Sequence, residues 1–336
     1  MKRWILKSGG YDADALIIED AQKPEPGPGQ VRVRIEAAAL NYRDYLVMTN
    51  SLWRTDLDLI PVADGAGVID AVGAGVTEWK TGDAVITVYM RDFPTWPPHP
   101  DVGMGLGSAN EHGVLAEYVV LSASRLVRKP ASLTSIEAAT LPCAAHTAWT
   151  ALQKLSPARP SDKVLILGTG GVSLFALSIC RHLGIEAIVT TGSEQKRERL
   201  LELGASEVVN YRIDPDWGNT VYQLSGGVNK VINSAGVGAL NQSMAALKHG
   251  GNVVTIGMIS QGEGEPVNEY ALLGKGLTIH GMPVGGRDGL VELVAFVDAV
   301  GLKPVVHQTF SFNDAKLAYE EQRSSDLFGK VIISID

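Results

Sequence analysis

Residues 163–183 constrain this chain more than any other stretch. The run Lys163-Val164-Leu165-Ile166-Leu167 leads into Gly168-Thr169-Gly170-Gly171-Val172-Ser173, and an apolar helical pattern follows to residue 183. A strand apolar on both faces belongs in the middle of a sheet covered by helices. In the loop, the first glycine permits a tight turn and the second lets backbone come close to a bulky anion. The helix start, at Gly171 and Val172, offers unpaired N–H groups to that anion. Glycines near a strand end are often ordinary turns. Here the strand before, the helix after and a second strand pattern at 186–191 favour a loop that holds the pyrophosphate of a dinucleotide. Ser173 stands at the third motif position, where glycine is usual.

The same rhythm continues through 200–204, 208–210, 230–233, 239–248 and 252–257. Repeated strand–helix units of this kind require a mainly parallel sheet with helices on its faces, so the expected class is α/β with a doubly wound Rossmann sheet. The first part of the chain reads differently. Short extended patterns at 2–6, 15–19, 30–38, 67–72, 84–89 and 115–120 are separated by turn chemistry such as Pro24-Glu25-Pro26-Gly27-Pro28-Gly29. In Val31-Arg32-Val33-Arg34-Ile35-Glu36-Ala37 apolar and charged residues alternate, as a strand with one wet face demands. With 336 residues, two domains are expected: a mainly β one at the start of the chain and a dinucleotide-binding one that begins where the texture changes, near residue 130.

The tip of the second nucleotide-domain strand bears on which dinucleotide fits. It reads Thr190-Thr191-Gly192-Ser193-Glu194-Gln195-Lys196-Arg197, with no acid at the tip to hold both ribose hydroxyls. Thr191, Ser193 and Lys196, with Arg197 near them, form instead a polar and cationic rim suited to a 2′-phosphate, so NADPH is the expected cofactor. The competing reading makes Lys196 and Arg197 a solvated helix face, and Glu194 works against an anion there.

The formal net charge of −8 argues against a nucleic-acid or anionic-membrane surface. No apolar run approaches a membrane span, and the start Met1-Lys2-Arg3-Trp4-Ile5-Leu6 is cut by Lys7-Ser8-Gly9-Gly10 before a signal core could form. With only Cys143 and Cys180, a disulfide framework is not expected, and a cytoplasmic setting is. The long segments 45–58 and 91–112, the latter rich in Pro and Gly, are expected to wall a substrate pocket.

Asn41-Tyr42-Arg43-Asp44, Pro61-Val62-Ala63-Asp64-Gly65-Ala66-Gly67, Gly82-Asp83-Ala84-Val85, Ala138-Ala139-Thr140-Leu141-Pro142-Cys143, the glycine loop and Phe328-Gly329-Lys330-Val331 occur in this order. Together they resemble the zinc-independent branch of the medium-chain dehydrogenase/reductase superfamily, which contains quinone oxidoreductases and enoyl reductases. The resemblance implies a GroES-like catalytic domain built from both chain ends, 1–130 plus 285–336, around a dinucleotide-binding domain at 131–284, and a homodimer joined near residues 277–282. It also implies that Asn41, Thr147, Tyr211, Gly257, Pro283, Val284 and Lys330 take part in cofactor binding, with Tyr211 near the 2′-phosphate and Lys330 near the phosphates. A tyrosine packed for structure is the alternative at 211.

Zinc-dependent relatives hold a catalytic metal with three protein ligands. At those positions this chain has Asn41, Ala63 followed by Asp64, and Cys143; two cysteines in all cannot form a four-cysteine structural site. No zinc is therefore expected. A different site from Cys143, His146, Asp64 and His99 or His112 would rest on one spaced pair alone. Without a Lewis acid, hydride transfer must rely on positioning and on hydrogen-bond donors to the oxygen that gains charge. That favours small electrophilic substrates, quinones and α,β-unsaturated carbonyls. Asn41 is the expected positioner, Tyr42 or Tyr45 the candidate proton donor, with Asp44 in the same turn; an inward-packed structural turn is the competing reading. A metal-free alcohol or aldehyde oxidoreductase, and an NADPH-binding protein with little catalysis, remain the alternatives.

Overall fold

A computed structural model describes residues 1–49, 57–90, 93, 95–99, 103–109, 111–257, 259 and 263–335. Parts of the two segments expected to wall a pocket, at 50–56 and within 91–112, lie outside the described residues. The chain divides into two compact units, one formed by Met1–His146 with Gly285–Asp336, the other by Thr147–Val284.

In the first unit, six strands lie side by side in the order Val306–Ser311, Lys330–Ser334, Gln30–Ala39, Asp64–Val72, Ala84–Thr87 and Leu126–Arg128, and Tyr118–Ser122 pairs with Gln30–Ala39 as a seventh. The pairing is antiparallel except between the two C-terminal strands. Lys2–Leu6 and Leu16–Asp20 form a separate antiparallel hairpin. Strand Gln30–Ala39 shows how composition sets burial. Its first part alternates, with Val31, Val33 and Ile35 inside, and Ala37, Ala38 and Ala39 are then buried on both faces. Alanine permits that double burial because it needs little room on either side. Residues 131–146 pack with this unit, helped by the Ser135 hydroxyl, which donates to Glu36 at 2.5 Å.

Val62, just before Asp64–Val72, has φ of 72°, a conformation disfavoured for a β-branched residue. Two glycines press against it: a Cβ on Gly113 would lie 2.1 Å from the Val62 carbonyl oxygen, and one on Gly107 would lie 2.8 Å from the Val62 nitrogen. The turn delivers Ala63 and Asp64 into the interior, both fully buried.

The second unit is a six-stranded sheet in the order Glu207–Asn210, Glu186–Thr191, Lys163–Leu167, Val228–Asn233, Leu247–Thr255, Thr278–Gly281. Every pairing is parallel. Strand order reverses beside Lys163–Leu167, the place where open parallel sheets receive ligands beyond their C-terminal ends. Its core includes Leu165, Val231, Val253, Val221 and Met244. Edge strand Thr278–Gly281 leaves Ile279 36% exposed.

Candidate active site and dinucleotide site

Lys163–Leu167 ends at Gly168, whose φ of 80° is the left-handed turn expected of the first glycine. Helix Gly171–Leu183 begins directly afterwards, with Gly170 as N-cap and no side chain bonding the first-turn N–H groups. A Cβ on Gly170 would meet nothing within 4 Å, so this backbone faces open space, as a phosphate cradle requires. Ser173 is buried, and its hydroxyl donates to the Leu167 carbonyl at 2.7 Å, tying helix to strand where glycine would only fit closely. The Ser234 hydroxyl reaches the same carbonyl at 2.7 Å.

At the second strand's tip, Thr191 is buried, and its hydroxyl bonds both the N–H and the carbonyl of Ser193 at 3.2 Å. The Tyr211 N–H donates to the Thr191 carbonyl at 3.1 Å, which brings the end of Glu207–Asn210 alongside. A Cβ on Gly192 would lie 2.6 Å from the Tyr211 hydroxyl and 3.1 Å from Arg212 Nε. Thus Ser193, Tyr211 and Arg212 come together around Gly192, with Tyr211 and Arg212 exposed. Lys196 lies in the following turn, Glu194–Lys196, whereas Arg197 is turned away, its Nη1 donating to the Val208 carbonyl at 2.6 Å. Arg212 was missed in the sequence reading; its adjacency to Tyr211 was the available signal.

Gly257 fits because of Ser234: a Cβ there would fall 1.5 Å from the Ser234 carbonyl oxygen. Val284 and Thr147 are buried and Pro283 half-buried. Thr147 sits in helix His146–Trp149, between π-helical turns Leu141–Ala145 and Thr150–Lys154. Such turns redirect side chains within a helix.

In the first unit, helix Tyr42–Thr49 opens on a reciprocal turn. The Asn41 N–H donates to Asp44 Oδ2 at 2.8 Å, and the Asp44 N–H returns to the Asn41 carbonyl at 3.0 Å. Asp44 Oδ1 also accepts from Arg43 Nη1 at 2.9 Å, so this carboxylate is engaged by its own helix. Tyr42 and Tyr45 are half-buried with ring centroids 6.0 Å apart, and the Arg323 guanidinium lies 4.5 Å from the Tyr45 ring.

Lys330 is buried, and its Nζ donates to the Leu40 carbonyl at 2.6 Å and to Asn41 Oδ1 at 2.5 Å. Asp64 Oδ2 accepts from Asn41 Nδ2 at 2.9 Å and from the Cys143 N–H at 3.1 Å, and lies 3.9 Å from the Lys330 ammonium. Burial pushes the Asp64 carboxyl up to about 6, against the opposing pull of Lys330 and Asn41. Burial and then Asp64 push the Cys143 thiol up as well, so it remains a thiol at neutral pH. Among the described residues no three His, Cys, Asp or Glu side chains gather as metal ligands would. Two positions expected far apart in role, Asn41 and Lys330, are therefore in direct contact.

Residues 27–131 match the alcohol dehydrogenase GroES-like domain, and residues 171–299 match the zinc-binding dehydrogenase domain. A zinc-type alcohol dehydrogenase-like protein of Schizosaccharomyces pombe is 36% identical across 99% of both chains. The chain belongs to the medium-chain dehydrogenase/reductase superfamily. It is an oxidoreductase of that alcohol dehydrogenase-like group, with the α/β fold and GroES-like domain expected from its motifs. The superfamily relatives include the synaptic vesicle membrane protein VAT-1 homolog of Rattus norvegicus, 29% identical over 97% of this chain and 81% of that one. A solved NAD-dependent alcohol dehydrogenase superposes with a TM-score of 0.90 at 33% identity, covering the whole of both chains. No helix among the described residues is long and apolar enough to cross a membrane.

Proposed function

We propose that this superfamily member is a zinc-independent, NADPH-dependent reductase of quinones or α,β-unsaturated carbonyls. The observation that carries the reading is the buried group of Asn41, Asp64, Cys143 and Lys330, where a lysine ammonium already contacts the oxygen donors. That donor set does not suit zinc: Ala63 offers no ligand, Asn41 is bonded at both ends of its amide, and Cys143 is held as a thiol. A metal-free site favours substrates whose own conjugation spreads the developing charge.

The dinucleotide loop suits its cofactor. Open space over Gly170 and the free first-turn N–H groups of the helix at Gly171 would hold the pyrophosphate, with Val172 continuing that turn. Ser193, Tyr211 and Arg212 with Lys196 supply hydroxyls and positive charge for a 2′-phosphate beside Thr191. Gly257, Pro283, Val284 and Thr147 are assigned to the nicotinamide end of the site. When bound, the cofactor supplies a hydride. Asn41 positions the substrate oxygen, and Tyr42 or Tyr45 gives a proton to the reduced product. The outer edge of strand Thr278–Gly281, with Leu273 exposed nearby, would let two copies pair as a homodimer, and two buried free cysteines are compatible with the cytoplasm.

The test is steady-state oxidation of NADPH and NADH by the purified protein with benzoquinone, methyl vinyl ketone, primary and secondary alcohols, and aldehydes. Turnover of NADPH with the first two and little with the rest is expected. Preferential alcohol oxidation with NAD would overturn the reading in favour of the alcohol oxidoreductase that several relatives' names suggest.

A further inference from the structure

We propose that the Lys330 ammonium is the resident cation of the catalytic unit, excluding a divalent metal and orienting Asn41 as a hydrogen-bond donor. Four groups carry the argument. Asp64 is fully buried, Lys330 is 3% exposed, Asn41 and Cys143 are each 9% exposed, and their contacts close on one another.

The charges fix the amide. Reversing the Asn41 carboxamide would set its NH2 against the ammonium and its oxygen against the Asp64 carboxylate, two repulsive pairs in place of two attractive ones. Oδ1 therefore faces Lys330 and Nδ2 faces Asp64. A hydrogen bond accepted by the amide oxygen polarises the amide and strengthens its N–H groups as donors. One Nδ2 hydrogen goes to Asp64, and the second has no protein acceptor among the described hydrogen bonds. It is the donor left for a ligand oxygen.

The same placement works against a metal ion. A divalent cation here would have to use Asn41 Oδ1 and Asp64, the atoms that the ammonium already contacts at 2.5 and 3.9 Å. Asp64 Oδ1 is buried without a partner, yet a dication drawn to it would lie close to a second positive charge in a poorly screened interior. Lys330 thus matches the single negative charge of Asp64, and a metal would not be matched. Lys330 acts through Asn41 and is a positioning residue.

The catalytic half of this inference rests on the reductase reading; the cation half does not. The experiment titrates the full-length protein, Lys330→Met and Lys330→Arg with Co(II), followed by its visible absorption, and measures zinc after growth in zinc-supplemented medium. Wild type and K330R are expected to take up no stoichiometric metal, and K330M to bind Co(II). In NADPH-dependent quinone reduction, K330M is expected to lose at least about tenfold in kcat, and K330R to recover most of it. Stoichiometric metal in wild type overturns the proposal, as does K330M that neither binds Co(II) nor loses kcat. If K330M does not fold, metal uptake by wild type or K330R still overturns the cation assignment, and its absence from both upholds it. Lack of turnover by every form on all electrophiles would defeat the reductase reading and the donor role of Asn41, leaving the metal titrations to decide the rest.

Discussion

At the scale of single residues, the dinucleotide site turns on groups that sequence order only half revealed. Thr191 ends its strand without an acid, which the sequence alone displays. Arg212 is a different matter: its neighbour Tyr211 points to it only through the family resemblance, and it is the parallel register Asn210↔Thr191 that brings the end of Glu207–Asn210 beside Gly192. A guanidinium that binds a 2′-phosphate contributes about 1.5–3 kcal/mol as a charge-assisted hydrogen bond. Arg212→Ala is therefore expected to raise KM for NADPH by about 10- to 100-fold and leave that for NADH within about twofold, read from initial rates with each cofactor. Equal effects on both would remove Arg212 from the phosphate site. Asp44 illustrates the opposite lesson. Its type and its place beside Asn41 suggested chemistry, whereas both its oxygens hold the start of its own helix together.

At the scale of elements, the strand, loop and helix at 163–183 were legible because apolar pattern, glycines and helix period agree in one short window. The contact between Lys330 and Asn41 was not, since it depends on strand Lys330–Ser334 pairing with Gln30–Ala39 across most of the chain. Lys230 is a second buried lysine that the pattern of its strand concealed. It is 2% exposed in Val228–Asn233, and its Nζ donates to the carbonyls of Ala151 and Leu155 at 2.6 and 2.5 Å, closing the end of the Thr150–Lys154 turn. Burial lowers its pKa to about 8, from 10.5 for an ordinary lysine. Between those values the unfolded chain binds more protons than the folded one, so this group's contribution to stability rises with pH across that window. The stability of wild type relative to Lys230→Met is expected to improve by about 3 kcal/mol from pH 7 toward pH 10.5, measured by urea unfolding. A difference that stays flat would show that the lysine enters the fold with an ordinary pKa, and one that shrinks would show that the fold raises it.

At the scale of the whole molecule, the two-unit organisation was readable from the change of texture, from short separated strands to a regular strand–helix alternation. The first unit's use of both chain ends came from family resemblance instead, because no local pattern states that 306–334 returns to the sheet begun at 30–39. That return has a consequence for synthesis. The ribosome delivers Gln30–Ala39 and Asp64–Val72 early, then all of Thr147–Val284, and only afterwards the two strands that complete the sheet and the lysine that meets Asp64. At roughly 5–20 residues per second, the early strands wait on the order of 10–40 s while the intervening unit emerges and folds. Protease treatment of stalled nascent chains should find residues 147–284 resistant while 1–146 is still cut, with protection of the earlier segment arriving only after residue 334 has cleared the exit tunnel. Early protection of 1–146 would mean that its partial sheet stands without those strands. On this order of events, the half of the molecule made first is finished last, and during that interval its unpaired strand edge is the part of the newborn chain most in need of a chaperone.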